Sequence, residues 1–475
     1  MKTNHTTAGG LHYEEAITLA KLIRDKEISS TEAVQAHLDR IATVNPQINA
    51  MVTIVGEKAL DAAKKADAAL ANGEMVGPLH GVPFTVKDSI DTADVLTQRG
   101  SPIFKGRIPN ADATAVARMK QAGAILLGKT NLPEFSYWIE SENLLTGRSK
   151  NPWDLTRTPG GSSGGESAAI AAGLSPIGLG TDLAISVRGP AAQTGIVSLK
   201  ATHGRVPMTG IWPRAPRRFW HVGPMARSIQ DLELSFGILA GADGKDGFSS
   251  ALGDVQTKQP KDIKTLKIGW LVAPGFGPVD AQVAQTVEDA ANALAALGAS
   301  VEAVHIPALE QDFALEVFNK LHIMEMKPAF REAVKGRPEN EIYKMAHTML
   351  SIPETSYQAY IDAEQAAERL KDGFAAYFQQ YDALITPVLP IPAHKHGVET
   401  FVIDGQTVDA TYLQGATVPL NVTGLPGIAM RFGTSAEGLP INVQIVGKWL
   451  DEYTILQVAA ALESVSPVRS WHPEI

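Results

Sequence analysis

Three stretches of this sequence carry side chains that could break a bond: a lysine within GVPFTVKDSI (Lys87), a Gly-Gly-Ser-Ser-Gly-Gly run at residues 160–165, and a serine set between an acid and a base in TDLAISVR (Asp182, Ser186, Arg188). The alternating Val and Phe before Lys87 predict a short strand after a turn. A lysine held among apolar residues sheds its proton more readily and can serve as a neutral base. The glycine-rich run can adopt conformations closed to other residues and expose several N–H groups, as an oxyanion site requires. Singly, each feature has a plain reading: a surface lysine, turn-forming serines, a serine at a strand end. It is their concentration within GGSSGGESAAIAAGLSPIGLGTDLAISVRGP, residues 160–190, that sets them apart. The chain has no cysteine, so a thiol nucleophile, a thiolate metal site and a disulfide framework are all excluded. Neither a metal nor a cofactor is expected.

Two motif matches fail on context. GAILLGKT, residues 123–130, fits the letters of a phosphate-binding loop, but Ala124 to Leu127 read as a strand where such a loop needs a turn into a helix. Gly161-Ser162-Ser163-Gly164-Gly165 fits GxSxG, yet a polar, proline-containing loop precedes it where a nucleophile elbow needs a strand.

The Lys87 segment, the GGSSGGE loop, the GTDxxxSxRxP segment ending at Pro190 and the stretch PLNVTGLPGIAMRFGTSAEGLPINVQIVG, residues 419–447, together resemble the amidase signature family. The separations match as well, with Ser162 lying 75 residues after Lys87 and Ser186 a further 24 on. The resemblance implies the family's α/β fold with a central mixed sheet. It implies Ser186 as nucleophile, Ser162 as a bridging serine on a cis peptide bond, and Lys87 as base. Main-chain N–H groups of Leu183, Ala184, Ile185 and Ser186 are the candidate oxyanion hole, where one donor is typically worth about 3 kcal/mol. Ser163, Asp182 and Arg188 are assigned to holding the loop. Many relatives carry Gly-Gly just before the nucleophile; here Ala184-Ile185 stands there, and Cβ atoms narrow the backbone angles available at the hole.

The implied activity is hydrolysis of an amide-like C–N bond through an acyl-enzyme on Ser186. The loop WPRAPRRFW, residues 212–220, is aromatic and basic. Trp212, Phe219 and Trp220, with Trp138, are candidate pocket residues for a substrate ring, and an arginine there could meet a carboxylate or carbonyl. The plain alternative is a solvated loop pinned by aromatic anchors. The Ala-Ile pair and this loop look like those of the metagenomic urethanases in the family, pointing to a small-molecule amide or carbamate substrate. Rival readings are an amidotransferase subunit delivering ammonia within a complex and a broad aryl-acylamidase or esterase.

The elements that must position these residues are legible from periodicity. Apolar spacing predicts helices over 13–26 and 31–42, with Ser29 and Glu32 as a capping box opening the second. A helix over 112–122, a strand AILLGKT and a Gly/Ser/Pro loop over 151–165 follow. LKIGWLV, an alanine-rich helix over about 281–297 stopped by Gly298, and SVEAVHI form a β-α-β unit. Interleaving on this scale predicts an α/β fold with a mixed, largely covered sheet. One domain over 1–475 is expected: a helical segment 1–70, a core 75–240 carrying the motifs, and an α/β excursion with a C-terminal core over 260–475, the polar stretch 245–262 being a surface excursion. At 475 residues, 44% hydrophobic and 20% charged, the composition is that of a globular protein. The formal charge of −9 argues against nucleic acid, and the lack of a long apolar run argues against a membrane span or a signal peptide. A cytoplasmic protein is expected, and a homodimer is one assembly left open.

Overall fold

The computed structural model describes residues 10–214, 217–250, 261–272 and 276–475. Strands in chain order are β1 (Met51–Ile54), β2 (Pro83–Lys87), β3 (Ile125–Thr130), β4 (Glu142–Asn143), β5 (Gly147–Arg148), β6 (Ile177–Asp182), β7 (Val197–Lys200) and β8 (His221–Ala226). They continue with β9 (Lys267–Trp270), β10 (Ser300–Ala303), β11 (Ala383–Pro387), β12 (Thr400–Ile403), β13 (Gln406–Asp409), β14 (Gly427–Thr434) and β15 (Pro440–Gly447). Eleven of them form one sheet in the order β1-β3-β2-β6-β8-β7-β14-β15-β11-β9-β10. The sheet is mixed: β3, β2 and β6 run parallel, β6 and β8 antiparallel, and β11, β9 and β10 parallel again. Helices cover it, and β2, β6, β7, β8, β11 and β15 are buried along their whole length, as parallel or doubly covered strands must be. β4 with β5, and β12 with β13, are separate hairpins.

The local signals act as read. Ser29 caps the helix Ser30–Ile48: its Oγ accepts from the Glu32 N–H at 3.0 Å, and Glu32 accepts from the Ser29 N–H at 2.8 Å. That helix runs six residues past the expected end, through Pro46, because Ile41, Val44 and Ile48 prolong its buried stripe. The first helix is shorter than expected, Ala16–Arg24. Residues 125–130 are strand β3, so Gly128-Lys129-Thr130 lies in the sheet, and the phosphate-loop geometry is absent there. β9, the helix Ala281–Ala296, Gly298 at φ +101° and β10 make the expected β-α-β unit. Of the polar stretch expected at the surface over 245–262, residues 251–260 lie outside the described residues. No described helix is long and apolar enough to cross a membrane.

Candidate active site

β2 lies between β3 and β6 with Phe84 opposite Ile177 and Val86 opposite Leu179, so the carboxyl ends of β2 and β6 arrive side by side. Such ends are where open α/β sheets hold ligands. Side chains alternate along β2: Phe84 and Val86 join the apolar core, while Thr85 bonds to Glu166 of the helix Gly164–Ala171 and Lys87 to Ser162 in the loop before it. Lys87 Nζ is 2.6 Å from Ser162 Oγ and 2.9 Å from Thr181 Oγ1, with no exposure to solvent. Burial drives its pKa well below the ordinary lysine value, against the opposing pull of Asp182 and Glu166. Glu166 sits in the first turn of that helix and accepts from the Thr85 and Thr130 hydroxyls. Burial raises its pKa to about 7, which weakens its hold on a Lys87 proton relative to a fully ionised carboxylate.

The loop carrying Ser162 is packed without room for larger residues. Gly160 has φ +91°, and the Gly161–Ser162 peptide bond is cis. A Cβ on Gly161 would stand 2.5 Å from the Trp138 carbonyl oxygen. Ser141 Oγ donates to the Gly160 carbonyl and accepts from the Gly164 N–H, both at 2.9 Å. Ser163 N–H donates to the Ser186 carbonyl at 3.2 Å, and its Oγ donates to the Thr181 carbonyl at 3.3 Å. Ser163 thus ties the glycine loop to the segment holding Ser186.

Asp182 and Arg188 bracket that segment as a fully buried ion pair, with Arg188 N–H groups 3.1 and 3.0 Å from the two carboxylate oxygens. Burial pushes the Asp182 carboxyl up, but Arg188 outweighs it and keeps the group below its ordinary value. Arg188 also donates to the Thr417 carbonyl at 2.8 Å, Gln444 Oε1 at 3.0 Å and Asn421 Oδ1 at 2.5 Å, while Asn421 donates to Asp182 at 3.0 Å. Between the pair the chain turns sharply. Among the hydrogen bonds of the described residues, the main-chain N–H groups of Leu183, Ala184, Ile185 and Ser186 donate to none, and all four residues line one cavity. Four successive unpaired donors at a cavity wall can stabilise an anion. The Cβ atoms of Ala184 and Ile185 leave these donors free.

That cavity holds about 390 Å³. Ser186 lines it, 5% exposed. Its hydroxyl makes no hydrogen bond to Ser162 among those of the described residues, and relay contacts of this kind commonly tighten only with substrate bound. Trp138 is in the wall; Trp212, Phe219 and Trp220 are not. Trp212 stacks on Phe330 and meets Phe104 and Phe135 edge-on, Phe219 is buried behind the wall residue Phe318, and Trp220 is buried elsewhere in the core. Large apolar rings in a loop gain most by burial, so they anchor it. Two of the loop's three arginines are also taken: Arg217 pairs with Asp246, and Arg218 with Glu325 and Glu364. Much of the rest of the wall comes from the helices Ala314–Val334 and Lys344–Ser351, through Phe318, Ile323, Met345 and Met349, with Tyr137, Thr411 and Gln414 from other segments. Sequence reasoning passed these over, along with Thr181, Glu166, Asn421 and Gln444. The helices show only ordinary amphipathic spacing, whereas Asn421 and Gln444 are polar residues in apolar runs, a signal that was available.

The geometry defines an α/β protein in which a buried lysine and a serine loop are bonded together next to a segment of unpaired N–H groups that lines a cavity, and comparison with known proteins gives it a family. The Amidase family model matches residues 32–456. The chain is 35% identical over 496 aligned residues to a subunit of the glutamyl-tRNA(Gln) amidotransferase of Carboxydothermus hydrogenoformans, covering 98% of this chain and 100% of the relative. It resembles the solved structure of a 6-aminohexanoate cyclic dimer hydrolase with TM-score 0.87 and 30% identity, over 98% of this chain and 99% of the other. A bacterial aryl acylamidase of the amidase signature family follows with TM-score 0.88 and 26% identity, over 96% and 97%. The chain belongs to the amidase signature family, enzymes acting on amide C–N bonds.

Proposed function

We propose that this chain hydrolyses small, uncharged, largely apolar amides, aryl carbamates included, through an acyl-enzyme on Ser186. The observation that carries the reading is the buried contact between Lys87 and Ser162 beside a cavity lined by Ser186 and four unpaired N–H groups. Ser186 Oγ attacks the carbonyl carbon while its proton passes to Ser162, whose own proton passes to neutral Lys87. The developing oxyanion is held by N–H groups drawn from residues 183–186. As the C–N bond breaks, the relay reverses and protonates the leaving nitrogen. Water then cleaves the acyl-enzyme by the same route; from a carbamate this releases an alcohol and carbon dioxide.

The cavity supports an uncharged substrate, because among the described residues no Asp, Glu, Lys or Arg lines it. A free amino acid such as glutamine would find no oppositely charged side chain there for its ammonium or carboxylate. A second reading, one component of an amidotransferase complex, is favoured by the 35% identity over nearly the whole chain to a component of such an enzyme. One panel separates them: an aryl carbamate, an anilide, an aryl ester and glutamine, each run on the wild type, Ser186→Ala and Lys87→Met. Turnover of the aryl substrates that both variants lose supports the first reading. Glutamine turnover exceeding the others supports the second.

A further inference from the structure

Tyr137 and His322 lie 185 residues apart and meet in the cavity wall, with Tyr137 Oη 2.9 Å from His322 Nε2. Neither takes part in the relay above. His322 Nδ1 is 2.9 Å from the Phe318 carbonyl one helical turn earlier. A carbonyl can only accept, so Nδ1 carries the ring hydrogen. Burial keeps the imidazole neutral, its pKa lowered to about 4, and Nε2 is therefore bare. It takes the one proton the tyrosine has, and Tyr137 Oη retains only lone pairs. The Tyr137 ring is held edge-on by Phe330, centroids 5.4 Å apart at 82°, so the oxygen is fixed in place. Two of the other wall hydroxyls are committed elsewhere: that of Thr348 donates to the Lys344 carbonyl, and that of Thr411 to Asp409.

Resting on the hydrolase reading above, we propose that the Tyr137–His322 pair is a specificity element: it accepts a hydrogen bond from an amine or phenol on the substrate's aromatic body and turns away a group of similar shape that can only accept. An ether oxygen brought to the same place would set lone pair against lone pair in an apolar cavity, and both groups would lose water without recompense. His322 acts through Tyr137 and is a positioning residue; it decides which way the phenol proton points.

The test uses two aryl carbamates that differ at one ring position, amino in one and methoxy in the other. The ratio of their kcat/KM values is read within each variant, so a general loss of activity cancels, and comparison with wild type removes their intrinsic electronic difference. Tyr137→Phe is expected to lower the amino preference about tenfold. His322→Leu frees the phenol proton to donate and is expected to shift the ratio toward methoxy beyond the Tyr137→Phe value. An unchanged ratio in Tyr137→Phe overturns the proposal, and an unchanged ratio in His322→Leu overturns the assigned proton. The same ratio taken as dissociation constants on Ser186→Ala by calorimetry decides the matter without turnover. If that variant still hydrolyses both carbamates, it is the Ser186 reading that fails, while the ratio is judged separately.

Discussion

The floor of the cavity and its helical wall are built on opposite principles. The floor, meaning the ends of β2 and β6 with the serine loop, bonds to the lining segment 183–186 from behind, and the side chains of Lys87, Ser163, Asp182 and Arg188 are all tied there: Arg188 alone bonds to Asp182, Thr417, Gln444, Ala184 and Asn421. In the wall, Phe318, Ile323, Met345 and Met349 make apolar contacts that fix volume but little else. A bond-breaking centre needs its groups held to fractions of an ångström, whereas a pocket needs only shape. The floor should therefore answer substitution with collapse of rate or fold, and the wall with graded changes in preference.

The largest break expected is at the proposed relay. Ser186→Ala and Lys87→Met should each lower kcat by about 10⁴-fold or more while circular dichroism shows the fold intact; a loss under tenfold in either would remove that residue from the relay. Next comes Arg188→Met, which strands the Asp182 carboxylate in the core and should cost about 3–5 kcal/mol in urea unfolding. A cost below 1 kcal/mol would show the floor to be less tightly coupled than its hydrogen bonds indicate. The pH profile sharpens the point. Lys87 works only unprotonated, and its pKa is depressed by burial, so kcat/KM should fall about tenfold per pH unit below that pKa and level off above it. The midpoint should lie well below the ordinary lysine value; a rise still climbing at pH 10 would mean a solvated base. The smallest effect belongs to the wall: Met345→Ala should change the relative kcat/KM of bulky and compact substrates about tenfold, with the rate of Ser186 labelling by a sulfonyl fluoride little altered. Equal losses for all substrates would erase the contrast between wall and floor.

The same contrast governs what could be read from the sequence. The floor was visible because its requirements are local and restrictive: a lysine closing a buried strand, glycines where a Cβ would collide, a serine between an acid and a base. The helix cap at Ser29 and the β-α-β unit over 267–303 were legible for the same reason. The wall was not. Periodicity says that Phe318 or Met349 will be buried, but not that the surface covering it is a cavity. The loop aromatics show the converse, since Trp212 and Trp220 have the composition of a binding site yet are spent on packing against Phe330 and the core. The pairing of Tyr137 with His322 joins two distant segments that carry no local sign of each other.

The clasp around Arg188 also bears on how this protein is made. Its partners Thr417, Asn421 and Gln444 are synthesised 229 to 256 residues after it, so a nascent chain that already contains Lys87, Ser162 and Ser186 still lacks three of the groups that hold Arg188. A product terminated before residue 417 is accordingly expected to lack hydrolytic activity, which synthesis of truncated chains beside the full one would check.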